Sequence, residues 1–125
     1  RDWSSDVCSS DLRDATWPDG NVTRIGLGPI VAAMESAIEA PATIIGKPQR
    51  AFFDAALART GFVREHTVMI GDSIASDISG AINAGLRSLL VRTGNSATDP
   101  VPTGCDGALD SIADLPQWCN AQFSD

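Results

Sequence analysis

The stretch that most constrains this chain is Thr67-Val68-Met69-Ile70-Gly71-Asp72-Ser73-Ile74-Ala75-Ser76-Asp77. Its apolar start reads as a buried strand that stops at Gly71, where the missing side chain lets the backbone turn sharply. Asp72 then stands at the strand's carboxyl end, the place where open α/β sheets bind ligands. Asp77, one turn into the following helix, points back toward the same crevice. Two carboxylates so arranged suit a hard divalent cation such as Mg²⁺, which takes oxygen ligands and keeps several waters. The competing reading is local: Asp72 caps the helix and Asp77 is a solvated residue on its outer face.

Residues 1–12 follow a different logic. Asp2 through Leu12 read as one translated frame of a common sequencing-library adapter, and they are set aside as non-native. The expectation is that the natural gene continues upstream of Arg13, so that the chain is a fragment. The whole sequence carries a formal charge of −7. Arg1, Asp2, Asp6 and Asp11 leave with the adapter segment, and the remainder is still acidic. That balance argues against non-specific nucleic-acid binding. Cys8 leaves as well. Cys105 and Cys119 lack metal-ligand spacing and read as ordinary thiols of a reducing cytoplasm. No apolar run approaches the length of a membrane span. The length allows one small domain or part of one.

In chain order, Arg13 to Gly28 is rich in Pro, Gly and Asp and reads as a linker loop. Within it Asp14 and Thr16 are loop hydrogen-bonders, and Trp17 reads as a packing residue rather than a stacking platform. Ile30, Ala33, Met34, Ala37 and Ile38 repeat at helical spacing from Pro29 to Glu39. Ala42–Ile45 is a short strand leading into Gly46-Lys47-Pro48 and a helix over 49–60, stopped by Gly61. Lys47, held extended before a proline, can present its ammonium to a phosphate as a point charge. The plainer alternative is a solvated turn lysine. A helix over 74–84 follows Asp72, burying Ile78, Ala81 and Ile82. Ser88–Val91 is near-continuously apolar, as in a parallel strand covered on both faces. Arg92-Thr93-Gly94-Asn95 turns at that strand's carboxyl end, where it can contact a ligand, although loops of this composition are common. Gly107–Asp110 is a short edge strand, Ser111 caps a helical turn, and the tail from Gln117 is expected to fray. His66 reads as a surface residue with no partner that would make it a base.

The ordered set of strand–Gly46-Lys47-Pro48–helix, strand–Gly71-Asp72-x-x-x-x-Asp77–helix and strand–Thr93-Gly94 resembles the carboxyl half of haloacid-dehalogenase (HAD) superfamily phosphatases. The resemblance covers roughly residues 13–116. Arg13-Asp14-Ala15-Thr16, the Gly26-x-Gly28 turn and the helix at Ala33–Ala37 look most like the type-II-capped, 4-nitrophenyl phosphatase-like branch. The resemblance implies an α/β fold: a partial Rossmann-like, three-layer parallel sheet. Residues 13–28 would be the end of the cap and its linker, 29–116 the carboxyl half of the core and 117–125 a tail. It implies a Mg²⁺-dependent phosphate-monoester hydrolase that forms an aspartyl-phosphate and acts on a small phosphorylated metabolite. Lys47 takes the role of the charge-neutralising lysine. Asp72 binds the metal, Asp77 supports it through a metal-bound water, and Asp14 matches a substrate-contacting acid of the cap. The family's nucleophile, acid/base and phosphate-binding Ser/Thr have no counterpart here, so the chain alone is expected to be inactive. An unpaired sheet edge at Thr67–Ile70 would favour association, which leaves room for a homo-oligomer.

Two other readings stand beside this one. A non-catalytic α/β binding or regulatory module also places acids at strand ends. A receiver-like module, however, wants its lysine after the acids, and Lys47 precedes Asp72. A dinucleotide site wants Gly-x-Gly-x-x-Gly after a strand, and Gly26-x-Gly28 lacks the third glycine. The second is a phosphoglycolate-phosphatase-like member of the same superfamily with a different cap.

Overall fold

The computed structural model describes residues 9–10 and 13–123. The fold is α/β and Rossmann-like, built on a parallel sheet. In chain order the elements are β1 (Ser9–Ser10), β2 (Thr16–Asp19), β3 (Val22–Ile25), α1 (Leu27–Ile38), β4 (Thr43–Ile44) and α2 (Arg50–Thr60). They continue with β5 (Val68–Gly71), α3 (Ser79–Asn83), β6 (Arg87–Val91), β7 (Gly107–Leu109) and α4 (Leu115–Phe123). The main sheet runs β5-β6-β7, all parallel, with Ile70 opposite Leu89 and Leu90 opposite Ala108. Its middle strand is the most buried, with Leu89 and Leu90 fully enclosed. Strands covered on both faces need apolar side chains at successive positions, which explains why β6 lacks alternation.

The core is small. Phe53 of α2 packs with Ala81, Ala84 and Leu86, and with Leu57 and Met69 at its margin. Gly80 makes this contact close: a Cβ there would meet the Phe53 ring and the backbone of Pro48. Gly61 ends α2 in a left-handed conformation with φ 73°, as its position in the sequence suggests. Arg64 ties α2 to the end of α3, donating to Asp54 Oδ1 and to the carbonyl of Ala84, both at 2.5 Å.

Four features depart from the sequence reading. First, 16–25 is not loop but an antiparallel hairpin, with Thr16 opposite Ile25 and Asp19 opposite Val22. Gly20 at φ 59° makes its tight turn. Second, the tail is not frayed up to Phe123 but forms α4. Ser111 and Asp114 form a capping box just before it, and Trp118 receives the Arg87 guanidinium over its ring at 5.4 Å. Third, the apolar stripe of α1 does not face inward, since Ile30 and Met34 are half exposed and Val31 is the buried residue. Glu35 sets this orientation by pairing with Arg13 and accepting the Ala42 N–H at 2.8 Å. Fourth, the described part of the adapter-like segment joins the fold, Ser9–Ser10 pairing in parallel with Thr43–Ile44. An open strand edge pairs through its backbone and accepts any extended neighbour. Trp3 and Val7 lie outside the described residues.

β6 is fastened to the loop before β7 by Asp106. Its carboxylate accepts the Ser88 N–H at 2.9 Å and the Arg87 guanidinium at 2.8 Å. Burial raises this carboxyl, but those two donors outweigh it and hold Asp106 below its ordinary value. A depressed carboxylate stabilises the fold above the unfolded value and loses that contribution as pH falls through the folded one. Urea unfolding midpoints should therefore drop on acidification below about pH 4. Asp106→Asn should show a smaller drop over the same range; an identical acid dependence would refute the linkage.

Candidate active site

β5 and β6 are parallel and in register to Gly71 opposite Leu90, so the turns that follow them lie side by side. Asp72 occupies the first of these turns. Its carboxylate Oδ2 accepts the Asn95 N–H at 2.9 Å, and its carbonyl accepts the Ser96 N–H at 2.9 Å. Ser96 also accepts the Ile74 N–H on its hydroxyl at 3.2 Å and is 8% exposed. A Cβ at Gly94 would overlap the Asp72 carboxylate. Residues 94–96 therefore clasp the Asp72 turn from the β6 side. Among the described residues, nothing hydrogen-bonds Asp72 Oδ1, which is left for a ligand.

Asp77 comes from a different local geometry. The expected helix over 74–84 opens as a π-helical turn, Ile74–Ile78, before α3. The Asp77 and Ile78 amides both donate to the Ser73 carbonyl, at 2.9 and 3.2 Å. Such widened turns are frequent at functional sites. Here the turn lays the Asp77 carboxylate back over Gly71, where any Cβ would collide with it. Asp77 Oδ2 accepts the Ser73 N–H at 3.2 Å, and Oδ1 accepts the Lys47 ammonium at 2.6 Å. The Asp77 side chain is 5% exposed and that of Lys47 30%.

Lys47 is delivered by the turn between β4 and α2, which closes with the Gln49 N–H on the Gly46 carbonyl at 3.0 Å. Because Gly80 lets α3 pack against Pro48, Lys47 and Asp77 arrive at the same point. Asp14 is fixed through its backbone: its carbonyl accepts the Gly28 N–H at 2.9 Å, and a Cβ at Gly26 or Gly28 would strike residues 13–15. Lys47, Pro48, Ala75, Asp14 and Ser76 line a cleft of about 200 Å³. Asp14 and Ser76 also line a larger neighbouring cleft that reaches Ser73 and Asn95. The structure thus joins Lys47 directly to Asp77, sets Asp72 on the adjoining turn and puts Asp14 at the junction of the two clefts. His66 is exposed, away from this group.

The donor set fits Mg²⁺ in a specific way. Among the described residues, no group of three or more His, Cys, Asp or Glu side chains is placed to cage a metal ion. Mg²⁺ does not need one, since it is commonly held by one or two carboxylates together with waters and substrate phosphate. Asp72 offers the free oxygen. Both Asp77 oxygens already accept a hydrogen bond, from Lys47 and from the Ser73 N–H, so Asp77 has less acceptor capacity to spare for a cation than Asp72. The sequence pattern found the two acids and the lysine but not Gly94, Asn95 and Ser96 as their support. Gly71-Asp72 after an apolar run marks a turn, whereas a serine buried by a neighbouring loop leaves no periodic trace.

Removing one member of a buried ion pair is costlier than removing both, because a bare charge stays behind. Lys47→Met should lower the unfolding free energy by about 3 kcal/mol. The double variant Lys47→Met/Asp77→Leu should regain much of that loss in chemical denaturation. Additive losses in that cycle would show that the pair is not coupled.

Comparison with known proteins agrees with this geometry. A HAD-hydrolase-like family profile matches residues 44–115, more than half of the chain. Haloacid dehalogenase-like hydrolase domain-containing protein 2 of Bos taurus is 51% identical over 70 residues, covering 56% of this chain and 27% of that protein. The chain thus spans about a quarter of that relative's length. A 4-nitrophenylphosphatase from Thermotoga maritima superposes with a TM-score of 0.71 at 28% identity, over 84% of this chain and 42% of the other. A glycerol phosphate phosphatase from Mycobacterium tuberculosis, solved in complex with magnesium, superposes with a TM-score of 0.64 at 32% identity, over 79% and 31%. Taken with Lys47 and Asp72 just past the ends of parallel strands and Asp77 in the π-helical turn beside them, these matches show that the chain belongs to the HAD-like hydrolases, on their 4-nitrophenyl phosphatase-like side.

Proposed function

We propose that this chain forms the charge-neutralising and metal-holding half of a Mg²⁺-dependent phosphate-monoester hydrolase. The observation that carries the reading is the Lys47–Asp77 pair, 2.6 Å across, beside the clasped Asp72 carboxylate. Phosphoryl transfer needs little covalent chemistry from most of the site; it needs positioning and offset of negative charge. Lys47, oriented by Asp77, brings its ammonium to the phosphoryl oxygens. Asp72 offers Oδ1 to the cation, and Asp77 reaches it through water. Bound Mg²⁺ would supply Lewis-acid neutralisation of the phosphoryl oxygens.

A carboxylate nucleophile outside residues 13–123 would accept the phosphoryl group and give the aspartyl-phosphate route of the family. The substrate is a small phosphorylated metabolite, with Asp14 contacting its organic part. Two free thiols, Cys105 and Cys119, support a reducing cytoplasm as the setting. Among the described residues, no helix is long and apolar enough to cross a membrane.

The test uses the present chain beside the intact protein of its gene, with an aryl phosphate as substrate. The present chain should release no phosphate, and the intact protein should do so in a Mg²⁺-dependent, EDTA-sensitive manner. In the intact protein, Lys47→Ala should slow turnover by about 10²–10³-fold. Asp72→Asn should raise the Mg²⁺ concentration needed for half-maximal rate. Robust turnover by the present chain would overturn the half-site reading, and an unchanged Mg²⁺ requirement in Asp72→Asn would overturn the metal assignment.

A further inference from the structure

The β2–β3 hairpin stands over the turns that follow β5 and β6, and a cleft of about 420 Å³ separates them. That is within the range of small-molecule sites. It continues from the smaller cleft at Lys47 through the shared residues Asp14 and Ser76. A phosphate ester whose phosphoryl group sits at Lys47 and Asp72 therefore has this space for its organic remainder.

The walls of the larger cleft are unequal. Thr23, Ser73, Ser76 and Asn95 are small and polar, and Asp14 is anionic. Trp17 is the one large apolar surface among them. The sequence favours a packing role for this residue, yet it is 51% exposed. A half-exposed indole beside a polar cleft offers a flat face that polar walls cannot supply. Aromatic faces attract other ring systems in offset or edge contact by roughly 0.5–1.5 kcal/mol beyond area burial.

We propose that Trp17 is the stacking platform for the leaving group, so that the site prefers phosphate esters of ring-bearing alcohols over small acyclic ones. This inference rests on the phosphate-site reading above and adds a specificity element to it. A ring over the indole keeps its ester oxygen toward Lys47, while Asn95, Thr23 and Ser73 meet substituents at its edge. Asp14 disfavours leaving groups that carry a second negative charge near the ring, by like-charge repulsion.

The test is nuclear magnetic resonance on the isotope-labelled chain in Mg²⁺, titrated with phenyl phosphate and separately with inorganic phosphate. The indole N–H signal of Trp17 is identified from its loss in Trp17→Phe. Both ligands should shift the backbone amides of Lys47 and Asp72, and only phenyl phosphate should shift the Trp17 indole. Trp17→Ala should weaken phenyl phosphate about three- to tenfold, leave inorganic phosphate unchanged and be largely rescued by Trp17→Phe. Phenyl phosphate that shifts Lys47 and Asp72 but leaves the indole unmoved would overturn the platform. So would an equal weakening of both ligands in Trp17→Ala. If neither ligand shifts Lys47 or Asp72, the phosphate-site reading itself falls, and this inference with it.

Discussion

The Lys47–Asp77 ion pair is the interaction around which the rest of this structure is arranged. A carboxylate as enclosed as Asp77 is tolerable only if it is paired and hydrogen-bonded. The Lys47 ammonium supplies the charge, and the Ser73 N–H supplies the second bond. Meeting both demands fixes three chain segments at once: the turn after β4, the end of β5 and the first turn before α3. The glycines follow from the same demand. Gly71 leaves room for the Asp77 side chain, and Gly80 lets the helix close on Pro48 and Phe53. The π-helical turn at Ile74–Ile78 serves the same end, since a regular α-helical start would not share the Ser73 carbonyl between the Asp77 and Ile78 amides.

Two carboxylates five positions apart are thereby given unlike environments. Asp77 is turned inward and accepts a donor on each oxygen. Asp72 is half-buried, held through its carbonyl and one carboxylate oxygen, and keeps the other oxygen open. The division lets one acid orient a cationic side chain while the other meets a cation. Lys47 offsets the charge of the enclosed Asp77 carboxylate directly, at 2.6 Å.

Much of this was legible in the sequence because it is governed by short-range rules. Gly71-Asp72 after an apolar run, Gly61 after α2 and Ser111 before Ile112 each declare a turn or a cap by residue type alone. The hairpin over 16–25 reads as loop in the sequence, because the surrounding Pro and Gly outweigh Gly20-Asn21, a two-residue turn signal between two short β-prone runs. Other features arise only once distant segments meet. Ser96 lies in an unpatterned loop and becomes important because β6 carries that loop to Asp72. The orientation of α1 depends on where Glu35 finds Arg13 and Ala42, which the spacing of Ile30 and Met34 does not encode. Trp118 is anchored by Arg87 at the start of β6, so α4 owes part of its order to a partner far away in sequence.

The position of β5 bears on how self-sufficient the site is. In the order β5-β6-β7, β5 has a described neighbour on one side only, and its residues are half-buried rather than enclosed. An edge strand with this apolar character has unpaired backbone groups and invites further pairing. One might expect the acid at its tip to be loosely held. Every named support of Asp72, however, comes from the β6 side: the Asn95 and Ser96 amides, the Ser96 hydroxyl on Ile74, and the close approach of Gly94. The Lys47–Asp77 pair likewise bridges from the turn after β4 to the helix side, without using the outer edge of β5. Charge geometry is thus set by contacts internal to residues 46–96. The hydrogen bonds that hold Lys47, Asp72 and Asp77 do not draw on that open edge.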